Sequence, residues 1–181
     1  MAEGIQLEPT LPRTWRSSAG DHTIVLSEEC IAQMLDMARR HYPNEVGTSL
    51  IGRYSADGFT AFVQGAAPLA PDSKGSRMAF SRGVRGLRDF FHKLGSTSGE
   101  HYVGEWHSHP EGAASPSYLD NRSQSAIAAD PKVRCPEVVL VIVGGNPSTA
   151  PELGVFVYSR RFGRVDLRPD LHGPREPFAP Q

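Results

Sequence analysis

A single domain of mixed α/β character, its β-sheet covered by helices, is what this sequence predicts, on three observations. The 181 residues, 39 % hydrophobic and 22 % charged, suit one soluble domain with a proper core and tails. Segments of helical period alternate irregularly with segments of strand character. That order is not a clean βα repeat and points to α/β or α+β layers around a mixed sheet. The run from Glu137 to Val143 is almost continuously apolar, as a strand is when both sheet faces are covered.

Residues 1–21 carry prolines and serines without sustained period and read as an N-terminal arm, with Trp15 as its anchor on the body. The body is placed at 22–168, followed by a Pro-rich tail at 169–181. Thr23 to Leu26 is a short strand. Ser27 then caps a helix with Glu28 and Glu29 in its first turn, where acids suit the helix dipole. Ile31, Met34, Leu35 and Ala38 form its apolar face, and Pro43 stops it.

Gly47 to Tyr54 and Gly58 to Gln64 read as strands joined by a turn. Ala66 to Arg77 reads as a polar loop. A second helix follows with Val84, Leu87, Phe91 and Leu94 on one face. His101 to Trp106 is a strand that leads into His107-Ser108-His109-Pro110. A third helix begins near Ser117, and Gly154 to Ser159 and Val165 to Leu167 supply further strands.

The bulk numbers exclude several classes. A formal net charge of -1 gives no global field for nucleic acid or an anionic membrane. Cys30 and Cys135 are too far apart for a zinc-thiolate pattern and too few for a disulfide framework, so both read as reduced buried thiols. The N-terminus has no apolar leader, and the longest apolar run is too short to span a bilayer. The expected location is cytoplasmic.

Chemistry concentrates in His107-Ser108-His109-Pro110 and Ser117-Tyr118-Leu119-Asp120. Two histidines two apart on a strand project from one face, within reach of one ion. Asp120 falls one turn into the next helix. Two imidazoles and a carboxylate leave one position of a tetrahedral zinc open, as catalytic sites require. Glu45, held between Pro43 and Gly47, is the candidate general base, and Ser117 a candidate hydrogen-bond donor to a developing oxyanion. Each piece has a plainer reading. The His-x-His pair can arise by chance, Ser117-x-x-Asp120 is also a helix capping box, and Glu45 alone is a turn acid.

The joint order is more specific than its parts. Glu45 with Gly47 and Leu50-Ile51-Gly52, then Trp106-His107-Ser108-His109-Pro110, then Pro116-Ser117 and Asp120, closely resembles the JAMM motif of the JAB1/MPN/Mov34 metalloproteases. The resemblance covers about Ile24 to Ser159. It implies a cytidine-deaminase-like three-layer fold, a curved mixed sheet flanked by helices. It implies His107, His109 and Asp120 as ligands of one zinc, Glu45 as the base and Ser117 as the oxyanion donor. Val46-Gly47-Thr48 departs from the more Gly/Cys/Ala-rich stretch of many members, which touches packing and not the ligands.

By the same resemblance the substrate is the bond after the C-terminal tail of a ubiquitin-like protein or its conjugate. The partners are then activating and conjugating enzymes, as in bacterial antiphage systems. A peptidase acting on a sulfur-carrier protein uses the same site, and a metal-free MPN scaffold is the non-enzyme alternative. A nucleobase deaminase fits poorly. His109-Pro110-Glu111 satisfies H-x-E, but Cys135 stands without the second cysteine of P-C-x-x-C. The zincin pattern H-E-x-x-H is absent. The stretch 111–115 reads as small and mobile enough to form one wall of a tail-binding groove and the loop at 66–77 as a second wall that orders on binding, with plain connection as the alternative for both.

Overall fold

The computed structural model describes residues 13–135 and 137–171. Strands β1 (Thr14–Ser17) and β2 (Thr23–Leu26) lead into helix α1 (Glu28–His41). After it come β3 (Gly47–Tyr54), β4 (Thr60–Ala66), the short pair β5 (Lys74–Gly75) and β6 (Phe80–Ser81), and α2 (Leu87–Thr97). The chain then runs through β7 (His101–Pro110), α3 (Tyr118–Ala129), β8 (Glu137–Asn146), β9 (Ala150–Ser159) and β10 (Gly163–Pro169).

The main sheet runs β1-β10-β9-β8-β7-β3-β4-β2 and closes on itself. β7 pairs parallel with β8, and β2 with β4, while the other pairings are antiparallel. The sheet is therefore mixed and helix-flanked, as expected. The sheet also closes into a barrel, because β1 bridges the edges of β2 and β10. Trp15 pairs with Ile24 on one side and Pro169 on the other. The side chain of Trp15 is 1 % exposed and packs in the main core. Four residues around one buried aromatic carry no readable period, so this strand was hidden inside the expected arm. The parts of the arm and tail at 1–12 and 172–181 lie outside the described residues.

α1 forms for the reasons its sequence gives. Ser27 Oγ accepts the Cys30 N–H at 3.0 Å, and Arg39, Arg40 and His41 sit in the last turn. Its buried face, Cys30, Ile31, Met34, Leu35 and Ala38, packs in the core with Val139, Val141 and Val143 of β8. The alternate β8 residues, Val138, Leu140 and Ile142, pack on the other face with Ala128 of α3. Both faces of β8 are thus covered, which is why its sequence is apolar without alternation.

α2 starts later than the periodicity suggested. Gly86 caps it in the left-handed region at φ 82°, leaving Val84 outside the helix and exposed. Leu87 packs against Ile51, Ala67 and Ala70. The expected loop at 66–77 runs into the β5–β6 hairpin, which two-residue strands give no pattern to reveal. Cys30 and Cys135 are both free and buried.

Candidate metal centre

β7 lies between β3 and β8 and carries His107 and His109 on one face. Their Nε2 atoms are 3.0 Å apart. α3 brings Asp120 to them, with Oδ1 at 3.2 Å from His107 Nε2 and Oδ2 at 3.4 Å from His109 Nε2. The three candidate ligand atoms lie within 4.8 Å of one another. The His107 side chain is 10 % exposed, and His109 and Asp120 are 16 % and 19 % exposed.

The capping box at Ser117 and Asp120 and the approach of Asp120 to the histidines occur in one arrangement. Ser117 Oγ accepts the Asp120 N–H at 3.1 Å, and the Ser117 N–H donates to Asp120 Oδ2 at 2.7 Å. The box fixes the rotamer that aims the carboxylate at the histidines. The Ser117 side chain also hydrogen-bonds the Asp120 carboxylate and helps to hold that group ionised. His109 Nδ1 faces the Ala113 carbonyl at 3.2 Å. In the tautomer that donates there, Nε2 presents its lone pair to the cluster.

Glu45 lines, together with His107, His109, Ser117 and Asp120, a cleft of about 590 Å³. Burial raises the Glu45 carboxyl above its ordinary range. The charges of His109 and His107 oppose that rise and Asp120 adds to it. Asp120 is raised by burial too, but its contacts with His107 and His109 outweigh this and hold it far below the usual carboxylate range. His109 is raised, chiefly by its contact with Asp120.

Three comparisons bear on this geometry. Residues 27–156 match the family described as prokaryotic homologs of the JAB domain. The chain belongs to that family. This JAB domain is 41 % identical over 155 residues to a "CD-NTase/cGAS isopeptidase" of Enterobacter hormaechei, a match covering 86 % of each chain. It is 27 % identical over 150 residues to the "probable metalloprotease y4qB" of Sinorhizobium fredii, covering 79 % of this chain and 91 % of that one. The solution structure of protein DSY2949 from Desulfitobacterium hafniense superposes with a TM-score of 0.55 at 27 % identity, over 80 % of this chain and 89 % of that one.

The JAB domain also uses residues that its motif does not announce. Ser108 points away from the histidines into the interior. Its Oγ accepts the Val46 N–H at 3.0 Å, and its own N–H donates to the Val46 carbonyl at 2.8 Å. Ser108 thereby ties the segment of Glu45 to the strand of the histidines. Its signal in the sequence was the alternation itself, since the residue between two same-face histidines must face the other way.

Gly47 lets the two strands meet, because a Cβ there would fall on the Trp106 carbonyl oxygen. From the hairpin, the Ser76 carbonyl accepts the Glu45 N–H at 2.7 Å. Arg82 Nε pairs with Glu105 Oε1 at 2.7 Å in the cleft wall, and Gln124 Nε2 donates to Glu105 Oε2 at 3.3 Å. Arg82 and Ile127 separate this cleft from a larger cavity of about 700 Å³ between α2 and α3, which contains none of the candidate ligands.

The 111–115 segment lines the cleft through Gly112 and is tied to β8 and β9. Gly145 N–H donates to the Gly112 carbonyl at 2.8 Å. Ala114 lies so close on Gly144 and Gly154 that a Cβ on either would strike its backbone. No helix among the described residues is long and apolar enough to cross a membrane.

Proposed function

We propose that this JAB domain is a zinc-dependent isopeptidase. It hydrolyses the amide bond after the C-terminal tail of a ubiquitin-like protein or another protein modifier used in the same way. The observation that carries the reading is the convergence of two imidazole Nε2 atoms and one carboxylate in a cleft that also holds Glu45. The name of the Enterobacter hormaechei relative supports an isopeptidase and makes CD-NTase conjugates the first substrate to try. The metalloprotease name of the Sinorhizobium fredii relative supports a metal.

The donor set fits zinc. Borderline nitrogen and hard oxygen donors suit it, three protein ligands are what catalytic zinc sites use, and the atoms are already gathered around one point. His107, His109 and Asp120 would hold the ion. Bound there, zinc supplies a Lewis acid and brings the pKa of a water to about 7.

Glu45 takes a proton from the attacking water and hands it to the leaving amine, so that the amide becomes a carboxylic acid and a free amine. Its raised pKa brings donor and acceptor states closer to neutral pH. The Ser117 hydroxyl donates to the carbonyl oxygen as that atom gains charge, while its lone pair keeps the helix cap. The walls at Met78 and Leu119 give an extended tail an apolar passage.

The test uses a modifier fused or conjugated to a reporter, in ubiquitin-like and CD-NTase versions. Glu45→Gln lowers the cleavage rate by about a hundredfold or more while zinc stays bound. His107→Ala loses both zinc and cleavage. A Glu45→Gln protein with full activity would remove the base from the mechanism. A wild-type protein that binds no zinc yet still binds the modifier would show a scaffold and not an enzyme.

A further inference from the structure

Glu111 immediately follows the histidine strand and has φ 60°, the one non-glycine residue with a left-handed backbone among the described residues. An L-residue holds such a conformation only where its surroundings over-determine it. Here they do so from three directions. The Glu111 N–H donates to the Gly145 carbonyl at 3.1 Å, and the Gly112 N–H donates to the His109 carbonyl at 2.9 Å. One carboxylate oxygen, Glu111 Oε1, accepts from Tyr42 Oη–H at 2.8 Å and from Asn146 Nδ2–H at 2.9 Å. Tyr42 is the C-cap of α1, three residues before Glu45, and Asn146 is the last residue of β8. A single side chain therefore joins the segment leading to Glu45, the loop leaving His109 and the end of β8.

Two residues further on, the Ala113 carbonyl meets His109 Nδ1. Ala114 then rests on the bare backbones of Gly144 and Gly154. The loop has no slack between these points, so the seat of Glu111 determines where the Ala113 carbonyl stands and how the His109 ring is turned.

We propose that Glu111 is a positioning residue, a latch that locks the 110–114 loop so that Ala113 holds His109 with Nε2 in the ligand cluster and in register with the Glu45 segment. The latch rests on reading His109 as a metal ligand. It assigns a role to a residue outside the motif and to Tyr42 through it.

The experiment titrates metal-free protein with zinc against a chromophoric chelator. In parallel it follows hydrogen exchange of the Gly112 and Gly145 amides without metal. Glu111→Ala weakens zinc binding about tenfold or more, the scale of losing a group that orients a ligand, and speeds exchange at both amides. Glu111→Gln keeps an accepting oxygen and stays near wild type in both. Glu111→Gly relieves the backbone but loses the latch, so it follows Glu111→Ala and controls for misfolding. Tyr42→Phe weakens zinc binding in the wild-type background and has no further effect in Glu111→Ala.

Wild-type zinc affinity and exchange in Glu111→Gly overturn the proposal, as do effects of Tyr42→Phe and Glu111→Ala that simply multiply. If the wild type itself binds no zinc, the metal reading falls. The latch is then decided by exchange alone, where unchanged Gly112 protection in Glu111→Gly overturns it.

Discussion

Ser108 stands between the two histidines and faces the other way, 2 % exposed, with the Val46 N–H as its donor. Removing its hydroxyl leaves that buried N–H without an acceptor, a loss of about 1–3 kcal/mol. Ser108→Ala is expected to lower the unfolding free energy from urea melts by that amount and to lower the cleavage rate by letting the Glu45 segment drift. Two thermal or chemical melts and one rate measurement check it.

The charges at the site make a second residue-scale prediction, for the metal-free protein. Asp120 has a depressed pKa, so its contribution to stability is present above the unfolded value of about 3.9 and is lost as pH falls through the folded value. His109 has a raised pKa, so its contribution is full below about 6.5 and is lost as pH rises through the folded value. The pair stabilises most between these limits. Metal-free protein should therefore melt higher at pH 6 than at pH 8.5, and Asp120→Ala should flatten the difference. Zinc binding should run the opposite way, tighter at pH 8.5, because protons compete for the same imidazoles.

At the scale of elements, the decisive features are junctions. The first turn of α3 both ends a loop and aims a carboxylate, since Ser117 and Asp120 cap each other while Asp120 lies beside the histidines. Ser117→Ala removes the cap, costing about 1 kcal/mol, and frees the Asp120 rotamer. A lower melting temperature accompanied by weaker zinc binding is expected, and a stability loss with unchanged zinc affinity would separate the two roles.

The β3–β7 junction depends on Gly47, which pairs with His107 and lies against Trp106 and His107 backbone atoms. Gly47→Ala must push two core strands apart. It should destabilise by several kcal/mol, on the order of an overpacked core site, and cut activity beyond what its stability loss explains.

For the molecule as a whole, closure of the sheet is the feature with the widest consequence. β1 covers the edges of β2 and β10, which would otherwise expose unpaired N–H and C=O groups. A chain beginning at residue 22, where composition places the domain start, loses this strand and the buried Trp15. Loss of a buried aromatic alone costs about 3–5 kcal/mol. Compared with the full chain, the shortened protein should melt lower and associate at concentrations where the full chain does not, read by calorimetry and light scattering. The site on β7, which three strands separate from β1 in either direction around the sheet, should still bind zinc wherever the fold survives.

The sequence by itself determined which residues gather and on what kind of element. His-x-His declares a shared face because the strand period is two. Ser117-x-x-Asp120 declares a helix start because a capping box is a local hydrogen-bond pattern. The apolar run of β8 declares a covered sheet because water is excluded from both sides. These are local rules, and they needed no partner to be read.

What lay beyond the sequence were relations between segments far apart in the chain. The pairing of β1 with β10, the hairpin carbonyl on Glu45, the Arg82–Glu105 pair and the Tyr42–Glu111–Asn146 bonds join positions whose separation no window spans. Glu45 shows the division most clearly. Its residue type and neighbours suited a general base, but only the packing of β3 on β7 brought its carboxylate to the histidines, because a charge acts through distance in space and not along the chain.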